Sequence, residues 1–281
     1  MKIIECPRDA MQGLQDFIPT RRKIAYINKL LEVGFDTVDF GSFVSPKAIP
    51  QMRDTAEVLA GLHLSNTKTK LLAIVANLRG ANDACQFGEV QYLGYPLSLS
   101  ATFQQRNTRR SIEHAFKDLA EMQVLCQGNE KTLVVYLSMA FGNPYGDPYE
   151  IAHITAFVEK LSTLGVAVVS LADTIGVSDP EIIEKLFTTV IPKFPYIEFG
   201  AHLHSTPETV DDKIKAAYEA GCRRMDGAIR GLGGCPMAKD ELTGNVATER
   251  ILQYFNQNGI KTGISAQKFD EALKMAPRVF G

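Results

Sequence analysis

The sequence predicts an α/β fold, a (β/α)8 TIM barrel with an additional C-terminal helix, formed by residues 1–281 as a single domain. Short apolar segments rich in β-branched residues alternate with longer amphipathic segments along the whole chain. Eight strands, each followed by a helix, is the number that closes such a barrel. No linker or low-complexity segment divides the chain, so a second domain is not indicated.

The eight predicted strands share an apolar, β-branched composition. They centre on residues 3–6, 37–40, 70–75, 90–93, 133–137, 166–171, 198–202 and 224–226. A doubly wound sheet is the competing architecture, but it usually has a glycine-rich turn after its first strand. Here the first strand is followed by Pro7-Arg-Asp-Ala-Met-Gln12, which is no dinucleotide-binding turn. The barrel is therefore favoured.

The segments between the strands carry apolar residues at helical spacing, most clearly over residues 20–33. The other predicted helices cover 111–127, 149–164, 179–191 and 207–220, with a final helix over 266–275 outside the barrel. Thr20, Ser111 and Asp179 are predicted N-caps, because Ser, Thr and Asp are preferred at that position.

Composition argues against several classes of function. A formal net charge of −2 gives no electrostatic reason to bind nucleic acid or an anionic membrane. No apolar stretch is long enough to cross a bilayer, and the first residues enter a strand directly, without a targeting segment. The five cysteines lack CxxC spacing, which indicates reduced thiols. We therefore expect a cytoplasmic protein.

Two histidines two positions apart, His202 and His204, end the seventh predicted strand. Side chains at i and i+2 of a strand point to the same face, so the two imidazoles should project together. Barrel enzymes carry their chemistry at the carboxyl ends of the strands. Asp9 follows the first strand and Asn245 follows the eighth, and strands seven, eight and one become neighbours when a barrel closes. The four side chains can therefore converge.

A carboxylate, two imidazoles and an amide oxygen form a donor set without thiolate. This set suits Mg²⁺ or Mn²⁺, and Zn²⁺ is an alternative because imidazole suits it as well. The competing interpretation makes Asp9 an ion-pair partner of Arg8 and Asn245 a helix N-cap. For one residue alone the two interpretations are balanced, but four such residues on neighbouring strand ends favour a metal site.

Two further residues have the chemistry of a catalytic site. Arg8 keeps its proton and could stabilise an enolate oxygen, or it could simply pair with an acidic neighbour. Cys235 lies in the glycine-rich segment Gly231-Leu-Gly-Gly-Cys-Pro236. A thiol there could donate or accept a proton, and the ordinary alternative is a buried, inert cysteine.

These segments resemble the 3-hydroxy-3-methylglutaryl-CoA (HMG-CoA) lyase family, within the wider group of metal-dependent barrel lyases and Claisen-type synthases such as isopropylmalate synthase. The matching segments are Pro7-Arg-Asp-Ala-Met-Gln12, Ser42-Phe-Val-Ser-Pro-Lys-Ala-Ile-Pro-Gln-Met52, Leu171-Ala-Asp-Thr-Ile-Gly-Val177, Ala201-His-Leu-His204, Gly231-Leu-Gly-Gly-Cys-Pro236 and Gly244-Asn-Val-Ala-Thr-Glu249. Their length and order cover nearly the whole chain and are far more specific than the histidine pair alone.

The resemblance implies cleavage of HMG-CoA to acetyl-CoA and acetoacetate by a homodimer that uses Mg²⁺ or Mn²⁺. The implied metal ligands are Asp9, His202, His204 and Asn245. The implied catalytic residues are Arg8, which stabilises the enolate, Asp9, His202 and Cys235. Contacts to the acyl-CoA substrate are expected from Arg8, Gln12, Asp39 and Ser42. The hydroxyl proton is taken by Asp9 or His202, and the sequence does not choose between them.

The chain departs from the family's usual residues at a few positions. Asp39 stands where glutamate is usual, Gln15 where lysine is frequent and Arg230 where a small residue is usual. Met237 replaces an aromatic residue, and Ala10-Met11 replaces Gly-Leu. None of these is an implied metal ligand, so the departures bear on the identity of the acyl-CoA more than on the type of reaction.

Three other functions fit parts of the pattern. A Claisen-type acyltransferase would condense acetyl-CoA with a 2-oxo acid, but such synthases usually have longer chains. An aldolase would cleave a small hydroxy-keto acid without CoA. A non-catalytic metal-binding barrel is disfavoured, because Arg8 and Cys235 would have no reason to accompany the ligand set.

Overall fold

The computed structural model describes residues 1–234 and 243–280, and its strands form a closed parallel barrel. The strands are β1 (Lys2–Glu5), β2 (Thr37–Ser42), β3 (Lys70–Ile74), β4 (Val90–Ser98), β5 (Thr132–Ser138), β6 (Val168–Ala172), β7 (Glu198–His202) and β8 (Arg224–Gly227). They pair in chain order, and β8 closes on β1. Each predicted strand overlaps an observed one, so the predicted barrel is confirmed.

Helices follow the strands and surround the barrel. They are α1 (Pro7–Gln12), α2 (Thr20–Leu31), α3 (Thr55–Ala60), α4 (Leu78–Cys85), α5 (Ala101–Thr108), α6 (Ile112–Gly128), α7 (Ile151–Thr163), α8 (Pro180–Lys193), α9 (Val210–Glu219), α10 (Thr248–Gln257) and α11 (Ala266–Phe280). The predicted C-terminal helix is α11, which packs on α2 through an edge-to-face contact of Tyr26 and Phe280. Within the described part of the chain, no helix is long and apolar enough to cross a membrane.

The predicted N-caps are confirmed at two of three positions. The Ser111 and Asp179 side chains each accept a hydrogen bond from a backbone N–H in the first turn of α6 and α8. The prediction for Thr20 is wrong, because Pro19 occupies the cap position and Thr20 is the first helical residue. The Thr20 hydroxyl donates instead to Asp54 Oδ2, at 2.8 Å.

The segment after β1 forms the short helix α1, which the sequence did not predict. Pro7 stands in its first turn, where a missing N–H costs no hydrogen bond. Residues three and four apart on a helix share a face, so α1 places Asp9 and Arg8 beside Gln12. This local geometry brings three polar side chains to the carboxyl end of β1.

The floor of the barrel contains a buried arginine where aliphatic side chains are usual. Arg224 on β8 is 1% exposed, and its guanidinium nitrogens have no hydrogen-bond partner among the described residues. Its nearest carboxylate is Glu198, with 3.7 Å between Nη1 and Oε1. Gly200 on β7 leaves room for it, because a Cβ at that position would lie 3.1 Å from Arg224 Cδ.

Candidate active site

The start of α1 and the end of β2 are joined by a buried hydrogen-bond network. Arg8 Nη1 donates to Asp9 Oδ1 at 2.9 Å and to Gln12 Oε1 at 2.8 Å. Arg8 Nε donates to Asp39 Oδ2 at 3.0 Å, and Gln12 Nε2 donates to Asp9 Oδ1 at 2.8 Å. Charge-assisted bonds of this kind hold a guanidinium firmly. The network therefore fixes Arg8 in the protein without help from a ligand.

The second carboxylate oxygen of Asp9 contacts the segment that precedes α10. Asn245 Nδ2 donates to Asp9 Oδ2 at 2.6 Å, and the backbone N–H of Gly234 lies 3.4 Å from the same oxygen. Asn245 is not a helix N-cap, because α10 begins at Thr248 and Ala247 occupies the cap position. The structural alternative for Asn245 is therefore wrong, whereas Asp9 does pair with Arg8.

The two histidines project into the same end of the barrel, with ring centroids 5.5 Å apart. His202 Nδ1 lies 3.0 Å from Asp226 Oδ2, and His204 Nδ1 lies 3.1 Å from the carbonyl oxygen of Thr174. A histidine that binds a metal usually donates its other ring N–H to a carboxylate or carbonyl. Both imidazoles therefore have Nδ1 hydrogen-bonded and Nε2 left for a further ligand.

Asp9, His202 and His204 each offer a donor atom within 4.8 Å of the other two. His204 Nε2 is buried and has no hydrogen-bond partner among the described residues, which is the state of a ligand atom. Asn245 joins this group through Asp9. The carboxylate, imidazole and amide groups that the sequence singled out are thus brought together, and they fit a divalent cation. Their role as ligands stays a prediction.

The charges around this group set its protonation. Burial alone would raise the pKa of Asp9, but Arg8 and His202 outweigh it and hold the pKa below its usual value. Burial and the charge of His202 lower the pKa of His204 to about 4. Burial would also lower the pKa of His202, but its hydrogen bond to Asp226 raises it. An anionic Asp9 and a neutral His204 are the forms that bind a cation.

A cavity of about 570 Å³ opens above these residues. Ile74, Pro96 and Tyr136 from the strand ends form part of its inner wall. Phe17 and Arg53 line the mouth, where the Arg53 guanidinium carbon lies 3.7 Å from the Phe17 ring centroid. This volume and mostly apolar lining are typical of a small-molecule site.

Four residues were predicted to contact the substrate, and the structure separates them into two pairs. Arg8 and Gln12 line the cavity. Asp39 is buried and reaches the site through Arg8, and Ser42 is buried with its hydroxyl donating to the carbonyl of Ile74. Neither Asp39 nor Ser42 is among the described residues that line the cavity.

Cys235 and Met237 lie outside the described residues, so the catalytic role of the thiol stays a prediction. Arg230 is among the described residues. Its φ is +67°, and its backbone N–H donates to Glu249 Oε2 at 3.0 Å.

Asp226 is the site residue that sequence reasoning missed. It was assigned to the eighth strand without a role, although its carboxylate is the partner of His202. Asp226 could have been predicted from the HxH motif. Histidines that bind a metal usually donate their other ring N–H to a carboxylate or carbonyl, so each imidazole should have such a group beside it.

The comparisons with known proteins agree with this geometry. The HMGL-like family model matches residues 2–275. The mitochondrial hydroxymethylglutaryl-CoA lyase of Mus musculus is 34% identical over 275 residues, which is 97% of this chain and 83% of that protein. The structure of the Bacillus subtilis HMG-CoA lyase superimposes with a TM-score of 0.93 at 32% identity and covers 100% of this chain and 93% of that one.

An HMG-CoA lyase from Acinetobacter baumannii, solved in complex with coenzyme A and 3-methylmalate, gives a TM-score of 0.92 at 31% identity. That match covers 100% of this chain and 91% of the other. The sequence motifs, the barrel and these relatives all agree, and the chain belongs to the HMGL-like family.

Proposed function

We propose that this protein is a carbon–carbon lyase that cleaves HMG-CoA to acetyl-CoA and acetoacetate with the help of a divalent cation. One observation carries the proposal: donor atoms of Asp9, His202 and His204 lie within 4.8 Å of one another beside the Arg8 guanidinium. Family membership supports the reaction, and the Acinetobacter relative solved with coenzyme A supports an acyl-CoA substrate.

Asp9, His202, His204 and Asn245 are the residues that would hold the cation. We propose Mg²⁺ or Mn²⁺, because this donor set contains no thiolate. When bound, such a cation supplies Lewis acidity toward the oxygens of the substrate.

Arg8 is placed to stabilise the enolate of the departing acetyl-CoA. Four of its five N–H groups donate to Asp9, Gln12 and Asp39, which leaves one on Nη2 for a ligand. A fixed donor aimed at a developing negative charge lowers the barrier, because it needs no reorganisation during the reaction. Asp39 fixes this donor through two guanidinium nitrogens, so it acts on the substrate only through Arg8.

We assign the hydroxyl proton to Asp9. His202 contacts Asp226 through Nδ1 and offers Nε2 as a ligand, which leaves its ring no lone pair for a proton. Asp9 Oδ1 accepts from Arg8 and Gln12, and Oδ2 accepts from Asn245, so Asp9 takes the proton when one of the uncharged donors, Gln12 or Asn245, releases it. When Asp9 takes the proton of the 3-hydroxyl group, the C2–C3 bond breaks and its electron pair passes to C2.

The products follow from this bond cleavage. C3 becomes the ketone carbon of acetoacetate, and C2 becomes the enolate carbon of acetyl-CoA, with the charge on its oxygen facing Arg8. A proton delivered to C2 completes acetyl-CoA. We assign that proton to the thiol of Cys235, which the family resemblance implies is a catalytic residue.

The direct test is an acetoacetate assay on purified protein with HMG-CoA and either Mg²⁺ or Mn²⁺. We expect acetoacetate and acetyl-CoA in equal amounts, and a loss of activity by orders of magnitude in His202→Ala. An absence of acetoacetate from the metal-loaded wild type would contradict the proposal. Cleavage of a small hydroxy-keto acid without CoA would favour the aldolase alternative instead.

A further inference from the structure

A second group of donor atoms lies at His202, next to its contact with Asp226. Cys6, His202 and Asp226 each offer an atom within 4.8 Å of the other two. Asp226 Oδ1 is buried with no hydrogen-bond partner among the described residues. The Cys6 thiol is also buried, and its nearest acceptor is the carbonyl oxygen of Ile4, at 3.9 Å. A sulfur atom, an imidazole nitrogen and an unpartnered carboxylate oxygen are thus brought together.

We propose that Cys6, His202 and Asp226 form a second cation site, selective for a thiophilic ion such as Zn²⁺ or Cd²⁺, whose occupation inhibits the enzyme. Sulfur, nitrogen and oxygen donors in this combination suit Zn²⁺, whereas Mg²⁺ and Mn²⁺ prefer oxygen ligands. The existence of this site is independent of the proposed function, but the inhibition rests on it.

The charge and proton balance of binding is simple. The S–H bond of Cys6 breaks, its electron pair forms the bond to the cation, and the proton leaves to solvent. The new thiolate and the Asp226 carboxylate together balance the two positive charges of the ion. The bond to the cation must compensate for the loss of the S–H proton. Only an ion with a strong preference for sulfur displaces that proton.

The neighbouring charges also favour a cation at this position. The carboxylates of Asp226, Asp39 and Asp9 all act on Cys6 as negative charges, and Arg8 is the opposing cation. The guanidinium of Arg224, in the layer below, is a second opposing cation, and it interacts with the carboxylates of Asp226 and Glu198.

Occupation of the second site disables the first through the shared imidazole. A neutral imidazole has one N–H and one lone pair. Asp226 lies at Nδ1 of His202, so an ion held between them takes the Nδ1 lone pair and moves the ring proton to Nε2. Nε2 is the nitrogen left for the group formed with Asp9 and His204. The two sites therefore exclude each other.

Cadmium provides the test, because a cadmium–thiolate bond absorbs in the ultraviolet. The titration uses the whole chain carrying Cys235→Ser, so that the Cys235 thiol does not contribute. We expect an absorption band that saturates at one Cd²⁺ per chain and disappears when Cys6→Ser is added. Cys222→Ser is the matched control, because Cys222 is equally buried but lies outside the donor group, and it should keep the band.

Two results would overturn the proposal: no band in the parent protein, or a band that survives Cys6→Ser. A second variant tests the site independently, in case Cys6→Ser does not fold. Asp226→Asn keeps the size of the side chain and removes its charge, and it should weaken Cd²⁺ binding about tenfold or more. Unchanged affinity in a folded Asp226→Asn protein would also contradict the site.

The exclusion between the sites is measured by Mn²⁺ binding, followed by electron paramagnetic resonance in the same protein. One equivalent of Cd²⁺ should lower the Mn²⁺ affinity about tenfold or more, and Cys6→Ser should abolish that effect. Equal competition in both proteins would mean that Cd²⁺ simply enters the first site, and the proposal would fail. A parent protein that binds no Mn²⁺ would contradict the proposed function. The cadmium absorption band would still test whether the second site exists.

Discussion

Glu5 and Asp9 are buried carboxyl groups four residues apart, yet the protein gives them opposite charge states. Glu5 is 1% exposed, and Asp9 is 6% exposed. Glu5 accepts hydrogen bonds from the Ile229 backbone N–H at 2.9 Å and from the Thr248 hydroxyl at 2.6 Å. Burial raises the pKa of Glu5 to about 8, so most of it is protonated at neutral pH. The pKa of Asp9 is lowered, so Asp9 is an anion.

The difference shows that neighbouring charge, more than depth, decides what a buried carboxyl group does. The hydrogen bonds to Glu5 come from uncharged groups, and Glu249 adds a further negative charge nearby. Asp9 has a guanidinium at hydrogen-bond distance and an imidazole close by. At the outer side of β1 the carboxyl group is a neutral part of the packing, whereas at the barrel mouth it is available to bind a cation and accept a proton.

The largest effect is expected when the charge of Asp9 is removed. Asp9→Asn keeps the shape of the side chain but leaves Arg8 and the imidazoles without their shared anion. We expect kcat/KM to fall at least about 1,000-fold, because both a ligand and the proton acceptor are lost. Steady-state kinetics and Mn²⁺ titration measure this. Turnover within tenfold of the wild type would show that the anion at this position is not needed.

A smaller effect is expected when Arg8 and Asp9 keep their charges but lose the hydrogen bonds that Gln12 makes to both of them. Gln12 accepts from Arg8 and donates to Asp9, so Gln12→Met removes two hydrogen bonds without changing charge. A net loss of about 1.4 kcal/mol would lower kcat about tenfold. Gln86→Met, at the exposed C-cap of α4, is the matched control and should leave kcat unchanged. An equal effect in both variants would argue against a positioning role for Gln12.

The third effect concerns stability and leaves catalysis aside, and it appears only over part of the pH range. The Glu5 pKa is about 8 in the folded protein against an ordinary value of 4.5, so between these values the unfolded chain gives up a proton that the folded protein keeps. Folding stability therefore falls as the pH rises from 4.5 to 8 because of this group, and the loss levels off above pH 8.

Glu5→Gln, the neutral isostere, removes this dependence. Its free energy of unfolding relative to the wild type should rise from pH 5 to pH 8, as measured by urea unfolding at several pH values. Exposed Glu57→Gln should give a constant difference over the same range. A constant difference for Glu5→Gln as well would mean that Glu5 is ionised in the folded protein.

The barrel and the convergence of the histidines with Asp9 and Asn245 were predictable from sequence, because both depend on strand order and on side-chain alternation within a strand. Helix α1 was not predictable, because six residues are too few to show a helical period. The role of Asp226 depends on how β8 lies beside β7, and no pattern within one strand reveals that.

The positions of Asp39 and Ser42 show a further limit of sequence reasoning. The pairing of β2 with β3 shifts register between Asp39 and Gly41, so simple alternation does not continue to the end of the strand. A bulge of this kind decides which side chains face the cavity, and it cannot be predicted from the residue types in this strand.

The packing of Arg224 against Gly200 makes the choice of residue at one position depend on the other. A single methyl group at position 200 would already lie 3.1 Å from both Arg224 Cδ and Ser170 Oγ, so a larger side chain has no room while the arginine stays. The two positions are therefore expected to vary as a linked pair, with a small residue at position 200 wherever the arginine is present.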